Sequence, residues 1–168
     1  MTKRIVRRGG QQSLSFTSPL LARILSSRGV LSSDDLDHSL RGLLAPDSFL
    51  GIREAATILA EALESDSSIL IVGDFDADGA TSCTLMVTGL RAMGARQVNY
   101  LVPDRFKFGY GLTPEIVDVA VQFKPDVIVT VDNGIASVEG VAHANALGIP
   151  VVVTDHHLPG NDLPAAAA

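Results

Sequence analysis

From residue 54 onward, short apolar runs alternate with longer stretches of helical spacing. Residues 69–72, Ile-Leu-Ile-Val, form an unbroken apolar run of buried-strand type, and residues 98–102, 127–131 and 151–154 read as further strands. Between these runs, residues 80–93 read as a helix closed by Gly94. Pro114 stands where a first-turn proline belongs, ahead of a helix over 115–123, and residues 137–147 read as a helix ended by Gly148. Residues 103–113, with Gly109 and Gly111, read as a loop. A further helix over 53–64 precedes the first strand, with apolar positions at Ala56, Ile58, Leu59, Ala62 and Leu63. The order β-α-β-α-β-α-β predicts an α/β fold with a doubly wound, largely parallel, Rossmann-like sheet. Such sheets bind ligands outside the carboxyl ends of their strands.

The pattern changes ahead of residue 54. Residues 1–17 read as an extended arm. Ser18-Pro19 opens a short helix over 20–28, stopped by Gly29, and Ser33 caps a second that ends near Gly42. Residues 45–51 read as a linker broken by Pro46. The predicted division is therefore an N-terminal basic arm with a helical lead-in over 1–53 and the sheet domain over 54–168. The tail Pro164-Ala165-Ala166-Ala167-Ala168 has no structural logic of its own, which leaves the sheet edge after Thr154 exposed.

Composition narrows the class. A chain of 168 residues that is 46% hydrophobic buries a core, built from Val, Ile, Leu and Ala because Trp is absent. A single cysteine, Cys83, excludes an internal disulfide and fits a small buried residue in a reducing compartment. The basic start is followed by polar residues and not by an apolar core of signal-peptide type. No apolar run approaches the ~20 residues that span a bilayer. A cytoplasmic protein without membrane attachment is expected. The net charge of −6 disfavours nucleic acid as a partner, but its distribution reverses that reading. Residues 1–53 carry eight Lys/Arg against four Asp/Glu, and the remainder carries five against fifteen. A basic arm on an acidic body can hold a polyanion beside carboxylates that divalent ions neutralise.

The carboxylates fall in a pattern. The first strand runs into Gly73-Asp74-Phe75-Asp76-Ala77-Asp78-Gly79, the third into Asp132-Asn133-Gly134, and the fourth into Asp155-His156-His157. A parallel sheet brings these strand ends to one crevice. Five carboxylates converging there without a compensating Lys or Arg repel one another, and divalent cations are the simplest remedy. Oxygen and imidazole donors suit Mn²⁺, with Mg²⁺, Co²⁺ or Zn²⁺ as alternatives. Each cluster alone has a plainer reading. The first matches the start of an EF-hand loop, but the twelfth position is Leu85 and not Glu. Asp132-Asn133-Gly134 alone is an ordinary turn, and Asp155-His156-His157 alone can be a cap. In order, on successive strand ends, the three are specific.

Gly-Asp-Phe-Asp-Ala-Asp-Gly, Val-Asp-Asn-Gly-Ile and Thr-Asp-His-His resemble the first three motifs of the DHH phosphoesterases. Within that family, Val102-Pro103-Asp104-Arg105, Gly109-Tyr110-Gly111-Leu112 and Asp155-His156-His157-Leu158-Pro159-Gly160 resemble the RecJ branch, as does Ser26-Ser27-Arg28-Gly29-Val30 in the lead-in. The resemblance implies a DHH domain with metal ligands at Asp76, Asp78, Asp132 and His156, holding two ions of Mn²⁺ or Mg²⁺. It implies that Asp74 and Asp155 support the site, directly or through another ligand. It makes His157 a ligand or a contact of the scissile phosphate, and it gives Arg105 to a nucleotide phosphate. The activity implied is metal-dependent hydrolysis of single-stranded DNA, a 5′–3′ exonuclease acting in DNA repair and recombination. Its further partners would be a single-stranded-DNA-binding protein and a helicase. Paired divalent ions acidify water and stabilise charge at phosphorus, and His157, with an ordinary pKa of about 6.5, is suited to donate to the leaving oxygen. Phe106, Phe108 and Tyr110 beside Arg105 offer stacking surfaces or simply cover a loop.

Three rival readings follow from the same residues. Another DHH hydrolase (a manganese pyrophosphatase, an oligoribonuclease or a cyclic-dinucleotide phosphodiesterase) shares the motifs, although a pyrophosphatase would begin almost directly with the first of them. A HAD-type phosphatase shares Asp76-x-Asp78-Gly79 and would form an aspartyl-phosphate on Asp76, but leaves His156-His157 unexplained. RecJ proteins continue into a further acidic ligand, a DHHA1 domain and an OB-fold domain. The third expectation is thus a C-terminally truncated, inactive fragment that still binds metal.

Overall fold

The computed structural model describes Val6 and residues 14–168, so most of the arm expected over 1–17 lies outside the described residues. The chain divides after Ser48 into two compact units. In the first, helix α1 (Pro19–Ser26) begins at Ser18, whose hydroxyl accepts the Leu21 N–H, with Pro19 in the first turn. The second helix expected between Ser33 and Gly42 does not form. Two one-turn 3-10 helices, Asp34–Leu36 and Leu40–Gly42, stand in its place, and a third spans Pro46–Ser48. Local side chains bond the backbone in other ways: Asp37 takes the Ser39 N–H, a donor the helix would need, at 2.8 Å, and Asp35 turns back to accept Leu31 and Ser32 N–H at 2.7 and 2.9 Å. None of the three turns buries a residue, so no packing offsets that competition.

The second unit holds a sheet of four parallel strands, β1 (Ile69–Gly73), β2 (Val98–Leu101), β3 (Val127–Val131) and β4 (Val151–Thr154), in the order β2-β1-β3-β4. Ile69 pairs with both Val98 and Val127, and Ile128 with Val151. β1 and β3 are central and buried along their whole length, which is why they read as unbroken apolar runs. Alternate residues feed two cores. Ile69, Ile71, Val127, Val129 and Val131 pack with Ala62 of α2 (Ile52–Glu64) and Cys83, Val87 and Leu90 of α3 (Ala77–Ala92). Leu70, Val72 and Ile128 pack on the other face with α5 (Pro114–Ala120) and α6 (Val138–Ala146), through Ile116, Val117, Val141 and Ala144. The sheet is doubly wound. Its strand order reverses between β1 and β3, which places the crevice at their carboxyl ends.

Three details depart from the sequence reading. α3 starts at Ala77, three residues early, because Asp76 caps it. The loop after β2 contains a one-turn helix, α4 (Arg105–Phe108). The alanine tail has a structural role: Ala167 N–H donates to Val151 O at 2.8 Å, and Val153 N–H donates to Ala168 O at 2.9 Å. The open edge of β4 takes these partners for backbone groups that would otherwise be bare. Among the described residues, no helix is long and apolar enough to cross a membrane.

α6 approaches the segment before α5 so closely that a Cβ on Gly140 would meet the Leu112 carbonyl oxygen, whereas a Cβ on Gly89 in α3 would meet nothing within 4 Å. Gly140→Ala should lower stability by roughly 1–3 kcal/mol, and Gly89→Ala should raise it by roughly 0.5–1 kcal/mol. Urea unfolding of both variants checks this; equal effects would contradict the close approach.

Candidate metal centre

Each cluster is held by its own strand end. Asp74 follows β1 directly. Asp76 caps α3, its Oδ1 accepting Asp78 and Gly79 N–H at 3.1 Å each. Gly79 is required there, because a side chain would collide with the Asp74 backbone. Asp132 has a left-handed backbone, φ 62°, and its N–H donates to Thr154 O at 3.0 Å. This conformation is uncommon for a residue with a side chain and costs free energy that the surrounding structure must offset. Gly134, at φ 117°, completes the turn where a Cβ would meet Thr130 Oγ1.

Asp155, after β4, is a hub. Its side chain is 2% exposed. Oδ1 accepts His156 N–H at 2.8 Å, His157 N–H at 3.0 Å and His157 Nδ1 at 2.7 Å, while Oδ2 accepts Ile135 N–H at 2.9 Å. Burial raises the Asp155 pKa, but the Ile135, His157 and His156 donors outweigh it, and the carboxyl titrates below its ordinary value. The same Asp155 bond raises the His157 pKa above its ordinary value, against a smaller loss from desolvation.

Among the described residues, the crevice brings together two groups of side chains that could hold a metal ion, Asp74–Asp76–Asp132 and Asp132–His156–His157, each offering donor atoms within 4.8 Å of one another. Asp132 belongs to both, is 4% exposed, and lies 2.9 Å from His156 Nε2. The donors are hard oxygens and imidazole nitrogens, which fit Mn²⁺ or Mg²⁺ better than a thiophilic ion. A carboxylate common to both groups fits two neighbouring divalent ions. Asp78, in the first turn of α3, is outside both groups. It lines an open cavity of about 370 Å³ with Ser82, Asp132, Thr154, Asp155 and His156.

The expectation that the carboxylates have no basic partner is corrected by Arg105. Its Nη2 lies 2.9 and 3.1 Å from the two oxygens of Asp74. The guanidinium stacks over Phe75 at 3.9 Å and lies 5.3 Å from the Tyr110 ring centre. The aromatic residues expected beside Arg105 take different places, and Phe75 joins them. Phe106 is 97% exposed, Phe108 packs on the α5/α6 core, and Phe75 takes the stacking position. Tyr110 places its hydroxyl 3.4 Å from Asp132 O and 3.3 Å from His157 Nδ1. Burial, then the charges of Asp155, Asp74 and Asp132, push its pKa up to about 12. Sequence reasoning gives Tyr110 only a stacking role and Asn133 none. Asn133 is 1% exposed, and its Nδ2 donates to Val72 O and Val131 O. A polar residue beside a carboxylate on a buried strand end is the signal available for it.

Comparison with known proteins places this geometry. The family described as DHH family, N-terminal domain, matches residues 68–168. A single-stranded-DNA-specific exonuclease RecJ of Salmonella typhimurium is 55% identical over 150 residues, which is 89% of this chain and 26% of that protein. The RecJ of Escherichia coli is 53% identical over the same shares. A crystal structure of exonuclease RecJ bound to manganese superposes with a TM-score of 0.67 at 39% identity, over 74% of this chain and 32% of that one. A RecJ from Thermus thermophilus in complex with Mn²⁺ gives 0.65 at 35% identity, over 85% and 20%. The chain spans about a quarter of the length of the curated relatives it matches.

The Asp155–His157 link gives a pH prediction for the metal-free chain. His157 holds its proton above the ordinary imidazole range, so its contribution is complete below the unfolded pKa and is lost as pH rises through the folded value. Asp155 acts in the opposite direction, with its contribution lost as pH falls through its depressed pKa. An NMR titration should place the His157 pKa above that of a free imidazole and return it toward the ordinary value in Asp155→Asn. An unchanged pKa in that variant would contradict the assignment.

Proposed function

Because the chain belongs to the DHH family, we propose that its crevice is the metal-binding part of a RecJ-type exonuclease that hydrolyses single-stranded DNA. The observation that carries this reading is Asp132, buried at the strand-order reversal and common to two groups of ligating side chains. The exonuclease names of the relatives and the manganese-bound relatives support it. In this reading two ions of Mn²⁺ or Mg²⁺ occupy the crevice, and when bound they supply positive charge, acidify water and stabilise developing charge at phosphorus.

The chain's own residues then have separate tasks. Asp76, Asp78, Asp132 and His156 would hold the cations. Asp74 joins from the β1 end, where Arg105 sets its orientation. Asp155 contacts no substrate in this reading. It fixes the His157 ring through Nδ1, which leaves Nε2 to meet a phosphate or leaving oxygen, and the raised pKa keeps a proton on the ring to donate. Arg105, braced on Phe75, offers its remaining N–H groups to a backbone phosphate. The 5′–3′ polarity, the role in repair and recombination, the single-stranded-DNA-binding protein and helicase partners and the cytoplasmic location rest on the family resemblance. A HAD-type aspartyl-phosphate has no support in this family.

End-labelled single-stranded and duplex oligonucleotides, incubated with Mn²⁺ or EDTA, test the proposal. The expected result is Mn²⁺-dependent loss of the single strand from its 5′ end, with the duplex spared and activity abolished in Asp132→Ala. Hydrolysis of pyrophosphate or dinucleotides with polymeric DNA intact would favour another DHH hydrolase. No cleavage of any of them would contradict hydrolysis by this chain.

A further inference from the structure

We propose that Asn133 is a positioning residue that sets the gap between the β1 carboxylates and Asp132, and so the affinity of one metal position and not the other. The proposal rests on the metal-binding reading above. Asn133 is 1% exposed at the reversal point of the sheet. Its Nδ2 donates to Val72 O at 3.1 Å and to Val131 O at 2.9 Å. Val72 lies two residues before Asp74, and Val131 lies one residue before Asp132. One amide group thus joins the ends of the two strands at the level where their ligands diverge.

The backbone beside it makes this link consequential. Asp132 sits at φ 62°, so the chain turns sharply out of β3, and the Asn133 side chain returns to β1 from that turn. Carbonyls at the strand ends are at once satisfied and held together. Asn133 Oδ1 is buried without a hydrogen-bond partner among the described residues. Asn133 also lines a cavity of about 10 Å³ with Gly73, Asp74 and Arg105, roughly the room a single water needs. A buried polar atom left in this way is costly unless the position demands an amide. Asp would keep the shape but lose both donors, and Leu would lose every polar contact.

The opposite side of the centre is held by other groups. His157 is fixed by Asp155, Asp155 by Ile135 N–H, and β4 by Thr154 Oγ1 donating to Thr130 O at 2.8 Å. Loss of the Asn133 link should therefore loosen the position at Asp74, Asp76 and Asp132 while sparing the one at His156.

Mn²⁺ binding, followed by calorimetry and by EPR of the free ion, separates the two positions. Wild type should bind two ions. Asn133→Ala and Asn133→Asp should weaken one of them by roughly 10–100-fold, the usual effect of removing a group that orients a ligand, and leave the other within about threefold. Combined with Asp76→Ala, Asn133→Ala should add little further loss; combined with His156→Ala, the losses should multiply. Two ions bound with unchanged affinity, or both weakened alike, would overturn the positioning role alone. Wild type binding no Mn²⁺ would overturn the metal reading and this inference with it. Should neither variant fold, amide exchange in the metal-free wild type decides: slow exchange of the Asn133 side-chain protons supports the link, and exchange at the rate of an exposed amide overturns it.

Discussion

Asp132 is where the competing demands of this structure meet. It is the first residue after the central strand β3, it is nearly buried, and it adopts a left-handed backbone that side chains disfavour. Its carboxylate lies within reach of two aspartates and two histidines. Arg105 neutralises only the far end of that arrangement, through Asp74. A buried carboxylate pressed against others in this way is stable when cations enter the site, and a phosphodiester is a substrate whose reaction cations assist. Backbone strain, burial and charge at one residue thus point to the same chemistry.

The rest of the unit serves to hold that residue and its neighbours still. Two apolar cores clamp β1 and β3 from both faces, which leaves the crevice as the place where polar groups gather. Around it, backbone donors are spent on orientation: Asp76 on the start of α3, and Asp155 on three N–H groups and the His157 ring. Groups so engaged are pre-set before any ion or substrate arrives, which limits the reorganisation that binding requires. Close contacts at Gly79 and Gly134 serve the same end, since a side chain at either would displace a ligand-bearing turn.

How far the sequence reveals this depends on range. The β3 and β4 runs are legible to the residue because buried parallel strands are continuous in apolar character. The convergence of Asp74, Asp132 and Asp155 follows from those strands once their parallel order is read. What is hidden is pairing across the chain. Arg105 meets Asp74 from 31 residues away and Asn133 reaches Val72 from 61, and no local period encodes either. The absent helix after Ser33 is a different failure. There Ser33 as a cap and Gly42 as a stop suggest one element, while Asp35 and Asp37 offer the backbone shorter-range bonds. The role of the alanine tail is illegible because its partner, the edge of β4, is a backbone surface that no side-chain pattern announces.

Asp132 is proposed to serve two cations with one carboxylate. Anomalous diffraction from crystals of the chain soaked in Mn²⁺ tests this most directly. Two peaks that share Asp132 as a ligand are expected, one completed from Asp74 and Asp76 and the other from His156. A single peak, or two peaks of which neither has Asp132 as a ligand, would contradict it.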